Sequence, residues 1–174
     1  MGIRLLDCTL RDGGHLNDSM FGEGTIKGIV SGLELSKVDI IEVGFVRDMD
    51  FGIDYAAVNN IEEFETRLAL DSPNVEYSVM IQQDQYDVQR LPMCTGKIKR
   101  IRVSFHDYDM EEGISFCEEV IKKGYVCHVN PINIVGYSDE EILRLVETVN
   151  RIKAHVFTLV DTFGSMTKED LLRI

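Results

Sequence analysis

No stretch of this chain approaches the roughly 20 apolar residues that a membrane span needs. The start, "MGIRLL", lacks the apolar core of a secretory signal and has Leu6 where a myristoylation signal carries Ser or Thr. No membrane partner is expected. Positive charge is scarce as well: eighteen Lys and Arg stand against thirty Asp and Glu, a net charge of -12. Such a surface repels phosphate backbones, so nucleic acid is not expected either. The cysteines, Cys8, Cys94, Cys117 and Cys127, form no C-x-x-C pair and fall short of the density of a secreted disulfide scaffold. They read as packing residues in a reducing, cytoplasmic setting. No G-x-G-x-x-G follows the first apolar run, so the usual dinucleotide fingerprint is missing.

What is there is an ordinary globular composition, 44% hydrophobic and 28% charged over 174 residues, enough for one core. Residues 1–174 read as a single domain or a piece of one. Six short apolar runs, "IRLLDCTL", "DIIEVGF", "VEYSVMI", "KRIRVSF", "YVCHVNPINIV" and "HVFTLVDTF", alternate with helix-length stretches. The clearest helix covers 139–153, where Ile142, Leu145, Val146, Val149 and Ile152 recur at helical spacing behind a Ser138 and Glu141 capping box. Similar starts stand at Asp109 with Glu112 and at Thr167 with Asp170, and 25–38 carries an apolar face. Alternation of this kind implies a parallel sheet covered by helices, an α/β fold.

Two parallel architectures compete, the doubly wound open sheet and the (β/α)8 TIM barrel. Polar residues cluster after several different runs: "RDGGH" after the first, Glu42 in the second, His106 and Asp107 after the fourth, Asn130 and Asn133 on the fifth, "DTFGS" after the sixth. Many strand ends feeding one mouth is the barrel's way of building a site. The barrel is expected, with about six of its β/α units present, an apolar interior, and unpaired first and sixth strands that would make the isolated chain self-associate.

Three stretches, "LLDCTLRDGGH", "IIEVGF" and "VDTFGSM", resemble the pyruvate-aldolase and HMG-CoA-lyase superfamily of metal-dependent (β/α)8 enzymes, and the likeness runs from the first strand to the sixth. The resemblance implies that Asp12 is a ligand of a divalent metal, Mn2+ first and Mg2+, Co2+ or Zn2+ as alternatives, and that Arg11 steadies an enolate oxygen. Claisen-condensing and acyl-CoA-cleaving members usually have Gln at the position of His15. Aldolases of the 4-hydroxy-2-oxovalerate type have His there and use it as the base. His15 therefore points to an aldolase acting on a small 2-oxo acid; an acyl-CoA-dependent synthase or lyase, and a non-catalytic assembly module, are the alternatives.

The residue types suit that chemistry. A guanidinium stays charged while negative charge builds on an enolate oxygen, and a neutral imidazole has the basicity to take a hydroxyl proton near neutral pH. Gly13 and Gly14 are expected to turn the backbone sharply between Asp12 and His15. Glu42, inside an apolar run, either orients Arg11 or pairs with a lysine. Glu42, Asn130 and Thr162 are candidate substrate contacts, although "TFGSMTKED" also reads as a loop into a helix cap. His106 and His128 read as satisfied polar residues near strand ends, and His155 as a surface residue at the end away from the chemistry.

A whole barrel of this kind takes about 250 residues, and the relatives carry two further metal ligands as a His-x-His pair. No His-x-His occurs here. Completion by a further C-terminal region, completion by another subunit in a homo-oligomer, or loss of catalysis would each account for that.

Overall fold

The computed structural model describes residues 2–174. Its order is β1 (Leu6–Asp7), α1 (Thr9–Asp12) running into a 3-10 turn, α2 (Glu23–Leu35), β2 (Ile40–Val46), β3 (Ala57–Val58), α3 (Ile61–Leu68), β4 (Glu76–Gln82), β5 (Ile98–Phe105), α4 (Met110–Lys122), β6 (Val126–Pro131), α5 (Asp139–Ile152), β7 (Val156–Phe157) and α6 (Lys168–Arg173). All strand pairs in the sheet are parallel, in the order β1-β2-β4-β5-β6-β7, with β3 on β2. Chain order and spatial order agree along this path. The sheet is a half-barrel that does not close among the described residues: β1 and β7 each pair on one side only.

Helix ends follow local chemistry. The capping boxes at Ser138 with Glu141 and at Thr167 with Asp170 both form. At α4 the expected box is absent, because Asp109 is the cap residue but makes no side-chain cap hydrogen bond. The helix expected over 25–38 runs from 23 to 35. It ends where the Ser36 hydroxyl bonds back to the Gly32 carbonyl and Lys37 turns left-handed at φ 59°.

Three strands are shorter than their apolar runs, and β7 keeps only Val156–Phe157 of "HVFTLVDTF". After Asp7 the chain leaves the sheet, because the Asp7 carboxylate accepts from the Thr9 amide (3.0 Å) and hydroxyl (3.1 Å) and starts a turn. β6 stops at Pro131, and Asn133, expected on that strand, lies beyond it in the left-handed region at φ 57°.

Each central strand divides its residues between two faces. Ile41 and Val43, Tyr77, Val79 and Ile81, Ile101, Val103 and Phe105, and Cys127 and Val129 form one buried core with helices α2 to α5. Phe105 meets α4 so closely that a Cβ at Gly113 would lie 2.2 Å from its ring. Cys117 and Cys127 are both buried in this layer, as packing residues should be.

The inner face is different and corrects the expectation of an apolar interior. Glu42, Ser78, Arg100, Arg102, Ser104, His128 and Asn130 point there, and long side chains fill it: Arg100 and Arg102 keep only 11% and 12% of their side-chain surface. Guanidinium–carboxylate pairing makes such filling tolerable, since each buried charge finds an opposite partner.

Candidate functional site

The stretch "TLRDGGH" is wound rather than extended. The amides of Arg11 and Asp12 both donate to the Cys8 carbonyl, at 3.0 and 2.7 Å, and the turn continues as a 3-10 segment through Gly13–Leu16. Gly13 has ordinary helical angles, φ -61° and ψ -23°. The expected sharp glycine turn is therefore not what joins Asp12 to His15. Helical winding does so instead, bringing residues four apart, Arg11 and His15, to one side. Gly14 is needed for space: a Cβ there would sit 2.7 Å from the Ser19 hydroxyl. The reversal comes later, at Asp18 and Ser19 with φ 52° and 63°, after which the Ser19 carbonyl accepts from the Ala56 amide at 2.8 Å.

Beneath this turn lies Glu42, with no exposed surface. Its Oε1 accepts from Arg11 Nε at 2.8 Å, while Arg102 Nη1 donates to both its oxygens at 3.0 and 3.1 Å. Of the two readings of Glu42, orientation of Arg11 is the one found, and its second partner is an arginine rather than a lysine. Burial works against the charge on Arg11, but the adjacent Glu42 carboxylate outweighs it and holds the guanidinium above its ordinary pKa. Arg11 Nη1 then reaches Asp12 at 2.7 Å.

A β-bulge shapes the neighbouring wall. Glu42 opposes Ser78 and Phe45 opposes Met80, so β2 has one residue more than β4 across this step. Gly44 takes up the extra residue at φ 147°, where a Cβ would lie 2.0 Å from the Ala56 carbonyl oxygen. The consequence is that Phe45 faces inward beside Met80 and meets the edge of the His15 ring, with centroids 5.8 Å apart.

These elements enclose a cleft of about 310 Å³ at the C-terminal ends of the strands. Of the candidate residues, Arg11, Asp12, His15, Asn130 and Thr162 line it, and Glu42 supports its floor. Asp12 and His15 are exposed at the rim, whereas Asn130 is 1% exposed and its Oδ1 has no hydrogen-bond partner. The Thr162 hydroxyl accepts from the Asn133 amide at 2.7 Å. Phe45, Met80, Gln82, Arg102, Ser104, Ile132, Val160 and Asp161 complete the lining and were not anticipated as site residues. Alternate arginines in "KRIRVSF" were the available signal, but the same alternation describes a solvent-facing strand.

The other histidines stand apart. His128 is buried deeper on the inner face, its Nε2 3.1 Å from Arg100 Nη1, and Arg100 is also paired with Glu76. Desolvation first, then Arg100 and Arg102, push its pKa down to about 4, so the ring is neutral. His106 stacks on Tyr108 at 4.9 Å, and the exposed His155 accepts from the Cys127 amide. None of the three lines the cleft.

A divalent cation held by protein alone generally needs three or more donor groups. No group of three His, Cys, Asp or Glu placed to hold a metal occurs among the described residues, and the Asp12 carboxylate is engaged by Arg11. Asp161 spends its carboxylate on the amides of Ser165 and Met166. The expected metal centre is therefore not assembled by these residues, which supply one hard oxygen donor.

No protein-family model and no curated protein matches the sequence. Solved structures do match the fold. A variant of the carboxyl transferase domain of Rhizobium etli pyruvate carboxylase, solved with pyruvate, superimposes with a TM-score of 0.64 at 15% identity over 95% of this chain and 32% of that one. The same domain with oxamate and biotin gives 0.65 at 13% identity, over 97% and 32%. The chain thus spans about a third of the length of these structures. What they share with it is the fold, a parallel half-barrel of TIM-barrel type.

Proposed function

We propose that the chain carries the reactive half of an aldolase that makes or cleaves the carbon–carbon bond of a 4-hydroxy-2-oxo acid through a pyruvate enolate. The observation that carries this reading is Arg11, fixed by Glu42 at the floor of the cleft with His15 on the same wall. The two side chains divide the work. His15 takes the proton from the 4-hydroxyl as the C3–C4 bond breaks, and its exposure lets the proton pass to water. Arg11 faces the oxygen of the 2-oxo group, where negative charge accumulates as the enolate forms. Glu42 holds the guanidinium in place through that change, so little reorganisation is needed when the charge appears. Asn130 and Thr162 orient the substrate from the opposite wall. The metal that the sequence resemblance implies would need ligands beyond Asp12, and no step above depends on it. Pyruvate, a small 2-oxo acid, and its amide analogue oxamate accompany solved structures of the same fold and are of the size this cleft would take.

The test is cleavage of 4-hydroxy-2-oxopentanoate, with Mn2+ present, followed by coupled reduction of the pyruvate released. Turnover that falls roughly 100-fold or more in His15→Ala, as loss of a general base predicts, with the fold intact by circular dichroism, is the expected result. Unchanged turnover in that variant would remove His15 from the chemistry.

A further inference from the structure

The cleft holds one charged side chain that the proposed bond cleavage leaves unused, Arg102, beside Asn130, whose partner on the substrate that reading does not specify. Arg102 spends a single nitrogen, Nη1, on both oxygens of Glu42. Among the described residues nothing accepts from its Nε or Nη2, the parallel pair of donors that best fits a carboxylate. Asn130, one strand away, presents a buried Oδ1 without a donor. Ser104 stands between them, two residues on from Arg102 and opposite Asn130 in the strand register. Adjacent strands lie about 4.8 Å apart, so one small molecule reaches both groups.

The charge at this depth is also unbalanced. Two guanidiniums, of Arg11 and Arg102, share one buried carboxylate, Glu42. Asp12, with 67% of its side chain exposed, and Asp161 stand at the rim, where water screens them. One anion bound against Arg102 would neutralise the floor.

From this we infer that Arg102 and Asn130 form a second recognition subsite, which takes a carboxylate on the free fork of Arg102 and a hydroxyl donor on Asn130 Oδ1. The inference rests on the reading of the cleft given above and narrows its substrate to dicarboxylates, with one carboxyl group at the reacting end near Arg11 and a second, unreactive one on Arg102. Ser104 adds a hydroxyl that donates to the same carboxylate or accepts from the ligand.

The test is an NMR titration of the 174-residue chain with malate, succinate and lactate. Malate has both carboxylates and a hydroxyl, succinate lacks the hydroxyl and lactate lacks the second carboxylate. Malate should bind tightest, with succinate and lactate each weaker by about tenfold, since each leaves one buried polar group unmatched. Arg102→Met should bring malate down to the affinity of lactate, and Arg102→Lys should recover only part of the loss, because an ammonium lacks the fork. Asn130→Leu should bring malate down to succinate. The wild-type comparison stands even if a variant fails to fold. Equal binding of malate and lactate, or malate binding unchanged in a folded Arg102→Met, would overturn the subsite. Malate binding through Arg102 in a chain that cleaves no 4-hydroxy-2-oxo acid would overturn the aldolase reading and keep the subsite.

Discussion

Along β5, neighbouring residues live in different chemistry. Ile101, Val103 and Phe105 pack among helices on one side of the sheet, while Arg100, Arg102 and Ser104 line the other with charge and hydroxyl. Both sides are largely closed to water, yet different forces hold them. The outer side gains from removal of apolar area, a non-directional effect that tolerates substitutions of similar shape. The inner side depends on directional pairs whose members were costly to desolvate, so its stability is conditional on every partner being present. Comparing the two shows where this fold is robust and where it is specific.

The inner side should break first. Glu42→Ala would leave Arg102 without a carboxylate and Arg11 with only the exposed Asp12, and losing one member of a buried ion pair costs about 3–5 kcal/mol. Urea unfolding at neutral pH measures it; a loss below about 1 kcal/mol would mean that water already serves these guanidiniums. The next largest effect is set by pH. His128 is neutral in the fold with its pKa near 4, against an ordinary value near 6.5. As pH falls from 6.5 towards 4 the unfolded chain gains a proton that the folded chain refuses, so stability drops by roughly 3 kcal/mol and then levels off. His128→Gln should flatten that part of the curve relative to wild type, and parallel curves for the two proteins would refute it. The outer side yields least. Gly113→Ala drives a methyl into the Phe105 ring and should cost about 1–3 kcal/mol, the usual range for overpacking. An unchanged melting temperature would show that α4 shifts freely on the sheet.

The same contrast explains what could be read from sequence. Residues that bury apolar area announce themselves by periodicity, which is why α5 and the central strands β2, β4 and β5 stand where the sequence placed them; two of the capping boxes do so as well. The motif residues Arg11, Asp12 and His15 were legible as a contiguous run, and the fold brings Asn130 and Thr162 to the same cleft. Arg102 and Phe45 were not. An arginine at alternate positions looks like a solvent-facing residue until the curvature of the sheet is known, and Phe45 faces inward only because Gly44 adds a residue to its strand. The short β3 and helix α3 were missed as well. β3 has two residues, too few for a period, and α3 follows an Asn60 cap in a segment rich in glutamate.

The unequal lengths of the strands divide the cleft by kinetic protection. β4 and β5 share six registered pairs, and β5 and β6 also six, whereas β1 holds to β2 by two. Amide protons in the centre of such a sheet exchange with solvent only through global opening, while those of a two-residue edge exchange by local fraying. Arg102 and Asn130 belong to the slow-exchanging part, and Arg11, Asp12 and His15 follow directly on the fast-exchanging one. The wall assigned the recognition is therefore built into the cooperative unit of the fold, and the wall assigned the proton transfer hangs from one of its two short edges.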